Sequence, residues 1–416
     1  MKMLLVANTL AMNGGSTFLI RFARKMSEEG RRMKVLVLFG NTDIWVKEQL
    51  SLYAEIFYLK DFLIQPFGKI GFAQLPVFFP INWKKMDKIL SKDLHIHAMG
   101  VFGVILATKI INRNDSLRLS IGVYHQREFM HFVHKFYFCR LVHNVIKNLP
   151  EQNFVFFNEK NKKDFCSYYE RSFEHSCISP IGVEIRERNV PLSFKNKALV
   201  SIGNLIEFKK YNEHIIRLIP NLLVEFPGLK YNVYGSGPRL DYLQKLALDL
   251  GVQDNVTFYG KISYDEFYNA LEGQSLFIGS GTAIIEASSV GLPSIVGIES
   301  ISEPTTFGYL SEIVGFDYNE DCDSKVKYSL YDKISDALSS QALWDDISFD
   351  CKTKSKEFSI TETTKKFSLL ESLSKELPLT KYSSVKLFLS YIFCAICECT
   401  GLDKRFSDRR NLKHDA

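Results

Sequence analysis

Apolar runs that end in glycine turns and lead into helical segments occur in two separate parts of this chain. In the first part, residues 3–6 and 33–39 are apolar runs on either side of a helical segment, which starts with Ser16 or Thr17 as its cap and ends at about Glu29. Two buried strands joined by one helix are typical of a parallel sheet covered by helices. The first part therefore predicts an α/β domain.

The second part repeats this alternation with more strands. The pattern predicts strands at 198–202, 229–234, 256–259, 275–278 and 293–296, and helices at 211–225, from 239 to 250, at 264–273 and at 281–289. This order predicts a second open α/β sheet. Two doubly wound domains that face each other across a cleft would hold a ligand outside the carboxyl ends of their strands.

Composition narrows the class of protein. The formal net charge is +5, from 52 basic and 47 acidic residues, and nucleic-acid binding would need a concentrated basic face. The mean hydropathy of −0.05 excludes a protein with many membrane spans. The N-terminal apolar run breaks at Asn8, too early for a signal peptide, so we expect a cytoplasmic protein.

The cysteines do not indicate a disulfide framework in a chain of this length. The eight positions are Cys139, Cys166, Cys177, Cys322, Cys351, Cys394, Cys397 and Cys399. The last three are close together but lack a fourth Cys or His nearby, whereas a structural zinc site needs four ligands. We therefore expect buried or interfacial thiols and no metal.

Glycines and polar side chains cluster at the predicted carboxyl ends of the strands. In Asn13-Gly-Gly-Ser-Thr17, amides at a helix N-terminus suit a diphosphate, and the same residues also suit a plain turn. Lys209 follows a strand and either neutralises a leaving phosphate or is a solvated lysine. The motifs Tyr234-Gly-Ser-Gly-Pro238 and Phe258-Tyr-Gly-Lys261 either form walls around a flat base or are ordinary turns.

The motif that begins at Gly279 most favours a function. Residues 279–282 would leave several amides free at a helix N-terminus, which is a favourable nest for an anion. Glu286 follows in the same helix, and its carboxylate could accept two hydrogen bonds from vicinal ribose hydroxyls. A carboxylate so near a glycine loop is hard to explain as a solvated surface group.

Taken in order, these motifs resemble the retaining glycosyltransferases of family 4, which have the GT-B fold. The matching segments are Ser201-Ile-Gly203 with Lys209, Gly235-Ser-Gly-Pro238, residues 250–260, residues 279–286 and residues 287–293. The resemblance covers residues 1 to about 376. It includes the glycine pair of the first domain and Ile181-Gly182-Val183 at the entry to the linker.

The resemblance implies a division of the chain. The expected parts are a Rossmann-like acceptor domain at 1–180, a linker at 181–197, a Rossmann-like donor domain at 198–355, a helix at 356–376 that returns to the first domain, and an amphipathic basic tail at 377–416. It also implies transfer of a sugar from a nucleotide-diphosphate sugar to a polysaccharide or lipid-linked saccharide, with retention, in cell-surface polysaccharide biosynthesis. No metal and no cofactor besides the nucleotide sugar are expected.

Residue roles follow from the same resemblance. Lys209 would stabilise the leaving diphosphate, Glu286 would hold the donor ribose, and His125 would act near the acceptor hydroxyl. The remaining expected substrate-binding residues are Gly14, Gly15, His97, Asn204, Gly235, Gly237, Lys261, Gly279, Ser280, Gly281, Thr282 and Ala283. Asp321-Cys-Asp323 looks like a metal-binding D-x-D motif, but it lies well past the donor helix, so we expect a solvated loop.

Histidines in the first part are candidates for positioning phosphate or hydroxyl groups. His97, in a run that follows Asp93, and His125 both resemble strand-end histidines of the family, and each could instead be a satisfied core imidazole. His131, His134 and His143 lie in a helical stretch, where surface packing is the expectation.

Two departures from the family pattern leave a second function open. Asn204 stands where the family usually has an arginine, and Ile278 stands where it has the first glutamate of a pair. The alternative is a catalytically degenerate homologue that binds a nucleotide sugar as the partner of another transferase. An epimerase of nucleotide sugars is less favoured, because the donor loops do not belong to its pattern.

Aromatic residues make up 13% of the chain, and part of them lies in two segments. One is the tail, where Val385, Phe388, Leu389, Ile392, Phe393 and Ile396 have helical spacing between basic residues at Lys381, Lys386, Lys404, Arg405, Arg409 and Arg410. Both a helix on an anionic cytoplasmic leaflet and a helix docked on the protein explain this spacing. The other segment contains Phe62, Phe67, Phe72, Phe78, Phe79 and Trp83, which are expected to help seat a lipid-linked acceptor.

Overall fold

Two sheets of parallel strands organise the chain. The structure is a computed structural model that describes residues 2–71, 73–92, 94–125, 128–130, 136–185, 189–322, 325–403 and 406. These residues divide into two units. Unit 1 lies within Met1–Gly182 and Thr361–Ala416, and unit 2 lies within Val183–Ile360.

The strands follow the apolar runs of the sequence. In chain order they are β1 (Lys2–Ala7), β2 (Met33–Val37), β3 (Ala54–Tyr58), β4 (Leu94–Met99), β5 (Arg118–Val123), β6 (Phe154–Phe156), β7 (Cys177–Ile178), β8 (Ala198–Ile202), β9 (Lys230–Tyr234), β10 (Val256–Gly260), β11 (Leu276–Gly279), β12 (Ser294–Val296), β13 (Thr305–Thr306) and β14 (Tyr328–Ser329).

The helices separate most of these strands. In chain order they are α1 (Gly14–Glu28), α2 (Ile44–Ser51), α3 (Trp83–Met86), α4 (Gly100–Ile111), α5 (Tyr137–Asn148), α6 (Glu159–Tyr169), α7 (Tyr211–Glu225), α8 (Leu240–Asp249), α9 (Gly281–Ser289), α10 (Leu330–Ser339), α11 (Gln341–Ser355), α12 (Ile360–Leu373) and α13 (Ser384–Cys399).

The sheet of unit 1 has the order β3-β2-β1-β4-β5-β6-β7, and its pairings are parallel. Chain order reverses between β1 and β4. In sheets of this kind a ligand binds outside the carboxyl ends of the strands at such a reversal. The loop after β1 and the start of α4 therefore border the expected site of unit 1.

The sheet of unit 2 has the order β10-β9-β8-β11-β12, again parallel, and its chain order reverses between β8 and β11. The loop before α7 and the N-terminus of α9 follow these two strands directly. The prediction of two Rossmann-like parallel sheets is confirmed.

The cap of α1 differs from the predicted one. The helix begins at Gly14, two to three residues earlier than expected, because the Asn13 side chain accepts a hydrogen bond from the Ser16 amide at 3.0 Å. An asparagine is as good an N-cap as a serine. With Asn13 as the cap, both glycines lie in the first turn of the helix. The predicted cap at Ser16 or Thr17 is therefore wrong.

The predicted helix at 264–273 is also wrong. Only a short 3-10 turn, Asn269–Leu271, forms there. Glu266 accepts hydrogen bonds from the Ser263 amide and hydroxyl at 2.8 and 2.7 Å, which fixes a turn at the start of the segment. The Tyr264 side chain is hydrogen-bonded to Glu286, on another element.

The aromatic segment before Lys84 belongs to the core of unit 1. Phe62, Phe78 and Phe79 are buried, and Phe78 stacks on Tyr391 of α13 with ring centroids 4.5 Å apart. The expectation that these three rings bind a lipid-linked acceptor is wrong, because their surfaces are used in packing. Phe67 and Trp83 are half-buried against the same core, and Phe72 lies outside the described residues.

The tail helix α13 docks on unit 1 through a face that the sequence pattern does not pick out. Its buried residues are Leu387, Tyr391, Cys394 and Cys397. The Tyr391 hydroxyl donates to Gln74 Oε1 at 2.5 Å. Cys399 is exposed. The basic residues 404, 405, 409 and 410 of the predicted tail lie outside the described residues.

Among the described residues, none of the helices is both long and apolar enough to cross a bilayer. None of the His, Cys, Asp and Glu side chains of these residues form a group of three or more that could hold a metal ion.

The loops after β8 and β9 touch through backbone atoms. A Cβ at Gly235 would overlap the Gly203 carbonyl oxygen, and a Cβ at Gly237 would overlap the Leu205 carbonyl oxygen. The Leu205 amide also donates to the Ser236 carbonyl at 3.0 Å. Packing of the two loops therefore explains why these positions are glycine, whether or not a ligand binds there.

Replacement of Gly235 tests this contact. Gly235→Ala adds a backbone overlap to the cost of a positive φ, so we expect it to lower the free energy of unfolding by about 1–3 kcal/mol more than a matched variant. The control is Gly228→Ala, which also has a positive φ but has no atom within 4 Å of its added Cβ. Urea unfolding measures both, and equal losses would contradict the contact.

Candidate functional site

Lys209 lies beside the carboxyl end of β8 in unit 2. The chain leaves β8 at Gly203, passes the exposed Asn204 and reaches Lys209 shortly before α7. The Lys209 amine folds back over the strand end, since its Nζ would be 3.3 Å from a Cβ placed on Gly203. The amine is thus held at the reversal point of the sheet.

Glu299 provides a carboxylate at this point that sequence reasoning missed. It follows β12, and its Oε1 accepts a hydrogen bond from the Ser280 hydroxyl at 2.7 Å. Burial raises the pKa of Glu299, and the Lys209 charge and the Ser280 hydrogen bond offset that rise only in part. The available signal was an acidic residue three positions after the predicted strand 293–296.

Lys209 is stabilised in its charged form. Burial lowers the pKa of its ammonium group, but interactions with Tyr211 and Glu299 raise the pKa above its ordinary value. A protonated lysine at this position can interact with an anion. Lys209, Glu299 and Ser280 therefore form one electrostatic group.

The N-terminus of α9 presents backbone amides next to Ser280. Asn319 caps the helix, because its Oδ1 accepts a hydrogen bond from the Gly281 amide at 2.7 Å. Within the residues that the structure describes, the amides of Thr282 and Ala283 have no hydrogen-bond partner. Two N–H groups and the positive end of the helix dipole therefore remain for an anion.

Asn319 and Tyr318 hold this helix start in place from a loop that sequence reasoning missed. The Tyr318 hydroxyl donates to the Gly281 carbonyl at 2.9 Å, and the Glu299 amide donates to the Asn319 carbonyl at 2.7 Å. Nothing in the local sequence marks this loop, since the contacts join segments that are far apart in the chain.

Glu286 is buried in the second turn of α9 and is 3% exposed. The Tyr264 hydroxyl donates to its Oε1 at 2.8 Å. This bond brings a residue from the loop after β10 to the carboxylate and fixes its direction. Sequence reasoning missed Tyr264 because it assigned that loop to a helix.

An aromatic pair lies at the carboxyl ends of β9 and β10. The rings of Tyr234 and Tyr259 are parallel, with centroids 4.4 Å apart and an angle of 8° between their planes. Tyr259 is 53% exposed, and Lys261 is exposed two residues later. The pair is a flat surface on which an aromatic base can stack.

The end of β11 is a packing position. Ile278 is completely buried, so it offers no hydrogen bond to a ligand. A Cβ at Gly279 would lie 2.7 Å from the Phe277 ring. These two residues position α9, and the polar contacts begin at Ser280.

The corresponding point of unit 1 has the N-terminus of α1. Gly14 and Gly15 are exposed in its first turn, and among the described residues their amides have no hydrogen-bond partner. The Ser16 amide is taken by Asn13. The arrangement can bind an anion, as predicted from the glycine pair, and its role remains a prediction.

His97 is enclosed in a chain of hydrogen bonds. The Ser120 hydroxyl lies 2.8 Å from its Nδ1 and 2.7 Å from Nε2 of His95, and the Tyr124 hydroxyl lies 2.8 Å from His97 Nε2. Burial lowers the pKa of His97 to about 3 and that of His95 to about 4. Both are neutral at pH 7, and the ring nitrogens of His97 are occupied by Ser120 and Tyr124.

The other predicted histidines are placed differently. His125 is exposed just after β5, and its backbone carbonyl accepts a hydrogen bond from the Asn161 side chain at 3.2 Å. Its role stays a prediction. His143 is in α5, whereas His131, His134 and Asp93 lie outside the described residues.

Acid should destabilise the chain through His95 and His97. Their folded pKa values, about 4 and about 3, lie below the ordinary value of 6.5. Between pH 6.5 and 5, the unfolded chain therefore binds more protons, and the free energy of unfolding falls as the pH falls. We expect each histidine to contribute up to about 1.4 kcal/mol per pH unit in urea unfolding.

Single variants separate this effect from general acid sensitivity. His97→Gln should make the free energy of unfolding depend less steeply on pH, by an amount that corresponds to up to about one bound proton. The control Asn144→Gln changes an exposed residue without a titratable group and should leave the slope unchanged. An unchanged slope in His97→Gln would contradict the buried neutral imidazole.

Comparisons with known proteins match unit 2 most clearly. Residues 184–301 match the family described as Glycosyl transferases group 1. A GDP-mannose-dependent alpha-(1-6)-phosphatidylinositol monomannoside mannosyltransferase of Mycobacterium tuberculosis (strain CDC 1551 / Oshkosh) is 32% identical over 112 residues, which cover 24% of this chain and 29% of that protein. The chain spans 29% to 48% of the length of the curated relatives it matches.

Solved structures match over most of the chain. TarM has a TM-score of 0.64 at 11% identity, covering 89% of this chain and 98% of TarM. HepE of Anabaena, solved in complex with UDP-glucose, has a TM-score of 0.60 at 15% identity, covering 90% and 100%. At such identities the likeness shows the fold alone. The two sheets have the GT-B fold of these solved structures, and residues 184–301 match the Glycosyl transferases group 1 family.

Proposed function

We propose that this chain is a retaining glycosyltransferase of family 4. It transfers a sugar from a nucleotide-diphosphate sugar to a polysaccharide or lipid-linked saccharide, in cell-surface polysaccharide biosynthesis. The observation that carries the proposal is the charged Lys209, which interacts with Glu299 as Ser280 does, beside the start of α9, where two backbone amides have no partner among the described residues. These groups lie in the domain that matches the family.

Lys209 and the start of α9 would bind the donor diphosphate. An ammonium group and helix N-terminal amides stabilise negative charge that builds up on a leaving group. They supply this without a metal, so we propose that transfer is metal-independent. Asp321 of the D-x-D-like motif is paired with Lys327 at 2.5 Å, and residue 323 lies outside the described residues.

Glu286 and the tyrosine pair would bind the nucleoside. A carboxylate can accept hydrogen bonds from two vicinal ribose hydroxyls, and Tyr264 holds Glu286 in a fixed direction. The flat face of Tyr234 and Tyr259 would hold the base by stacking. Contacts that fix the base and the ribose would also place the bond between the diphosphate and the sugar, and such positioning contributes to catalysis.

Unit 1 would bind the acceptor. A cavity of about 670 Å³ opens beside the carboxyl ends of β2 and β3, within the usual size range of small-molecule sites. Aromatic residues Phe39 and Tyr58 line it together with Lys47 and Lys60. This lining suits a saccharide that bears a phosphate or carboxylate. The enzyme would work in the cytoplasm, at the inner face of the membrane when its acceptor is lipid-linked.

A degenerate homologue is the second candidate. Ile278 is buried in β11 and Asn204 is exposed without a charge, so two side chains that the family uses at the donor are missing. Such a protein would bind a nucleotide sugar without turnover. Incubation with UDP-glucose, UDP-N-acetylglucosamine and GDP-mannose separates the two functions: release of the nucleoside diphosphate supports the enzyme, and binding alone supports the homologue.

Two substitutions test the donor site. We expect Lys209→Ala to reduce the rate at which the nucleoside diphosphate is released about 100-fold or more, because the substitution removes the positive charge next to the leaving diphosphate. Glu286→Ala should weaken nucleotide binding about tenfold or more, since a charged hydrogen bond contributes about 1.5–3 kcal/mol. The rate and the dissociation constant of UDP or GDP measure these effects.

A lysine next to Lys209 and an exposed glutamate of unit 2 provide the controls. Lys210→Ala and Glu272→Ala remove equal charges outside the proposed contacts and should keep nearly full activity. Thermal unfolding checks that all four variants fold. Full activity in both Lys209→Ala and Glu286→Ala would overturn the assignment of the donor site.

Substitution of Glu299 should strengthen nucleotide binding, in contrast to substitution of Glu286. Its carboxylate interacts with Lys209, so a bound diphosphate and Glu299 would compete for the same ammonium group. We expect Glu299→Gln to tighten binding of UDP or GDP about threefold or more, because one negative charge is removed. Calorimetric titration measures this, with the exposed Glu303→Gln as control. Weaker binding in Glu299→Gln would show that the carboxylate does not compete with the diphosphate.

A further inference from the structure

Helix α13 has an apolar face that unit 1 leaves largely exposed, although the Phe393 ring contacts the edge of Phe136 with centroids 5.8 Å apart. Val385, Leu389, Phe393 and Ile396 are 67%, 58%, 53% and 52% exposed. At 3.6 residues per turn they lie within an arc of about 80° on the helix. Single exposed apolar residues are ordinary, whereas a continuous row of four large ones indicates an interaction surface.

The opposite face of the same helix is fixed to the protein. Leu387 and Tyr391 are buried, and the Tyr391 ring stacks on Phe78. The Ser390 hydroxyl accepts a hydrogen bond from the Phe138 amide at 3.4 Å. A docked surface helix normally has a polar outer face, so the apolar outer row of α13 is not required by its own packing.

The charges around this row favour an anionic partner. Residues 387–397 contain no charged side chain, and Glu398 is the single acid of α13. Lys381 and Lys386 are exposed at the N-terminal end of the helix. The sequence after the helix adds five basic residues, Lys404, Arg405, Arg409, Arg410 and Lys413, and three acidic ones, Asp403, Asp408 and Asp415. Basic residues beside an apolar helix face complement anionic lipid headgroups.

The length of the helix determines whether it could span a bilayer or would lie parallel to its surface. Its 16 residues span about 24 Å at 1.5 Å per residue, which is shorter than the hydrocarbon core of about 30 Å. The buried face also keeps the helix against unit 1. A shallow contact parallel to the membrane is the geometry that remains.

We propose that the outer row of α13, Val385, Leu389, Phe393 and Ile396, inserts into the headgroup region of an anionic membrane while the inner face stays docked on unit 1. Unit 1 then binds the membrane with α13 still docked on it, and no release of the tail is needed. This proposal deepens the membrane contact expected for a lipid-linked acceptor. It does not require that the chain transfers sugar.

Vesicle binding of the full chain tests the proposal. The probes are sedimented vesicles of phosphatidylcholine alone and of phosphatidylcholine with about 30% phosphatidylglycerol. We expect binding to the second kind that weakens as salt is raised, because the lysines act through screened charges. Val385→Ser with Leu389→Ser should lower the partition coefficient about tenfold or more, since both apolar side chains leave the interface.

A matched control comes from unit 2. Val224→Ser with Leu248→Ser replaces residues that are 84% and 63% exposed on α7 and α8, and it should leave vesicle binding unchanged. Binding of UDP or GDP, measured on the same variants, should not change in either. This readout separates failure of the membrane proposal from failure of the proposed function.

Three results would overturn the proposal. The first is absence of binding to the anionic vesicles by the unaltered chain. The second is unchanged binding by Val385→Ser with Leu389→Ser. The third is a dimer in analytical ultracentrifugation that this double variant abolishes, together with absence of vesicle binding, which would assign the row to a second copy of the chain.

Discussion

Parallel pairing of β8 with β11 is the constraint on which the candidate site depends. The two strands are adjacent although a large part of unit 2 separates them in the chain, so the loop that carries Lys209 and the start of α9 emerge at the same edge of the sheet. The hydrogen bond between Ser280 and Glu299 then joins this edge to the segment after β12. A carboxylate, an ammonium group and two amides that have no partner among the described residues thereby lie at the same edge of the sheet.

The sequence predicts the strands and the start of α9 well because both depend on local patterns. Buried parallel strands require continuous apolar runs, and a helix that follows a glycine turn has a recognisable start. The contacts that complete the site depend on distant segments, and no local pattern reports them. Tyr264 and Asn319 were missed for this reason, whereas Glu299 was overlooked although it follows a predicted strand. The false helix at 264–273 has the same cause, since Tyr264 is bonded to Glu286.

Unit 1 shows how a functional pattern and a packing pattern can look alike. His97 has the spacing of a strand-end ligand, yet Ser120 and Tyr124 occupy its two ring nitrogens. The aromatic cluster before Lys84 is likewise part of the core under α13. In the tail, the helical spacing of Val385 and Leu389 marks the outer face, and the docked face contains Leu387 and Tyr391. Burial, which spacing alone does not give, decides between such readings.

Amide hydrogen exchange with and without a nucleoside diphosphate tests the central claim most directly. If UDP or GDP binds at the start of α9, exchange should slow in peptides that contain Thr282 and Ala283, whose amides have no partner among the described residues, and in the loop that contains Lys209. Peptides from unit 1 helices such as α6 serve as an internal reference. Slower exchange confined to regions outside residues 203–210 and 280–286 would contradict the proposed donor site.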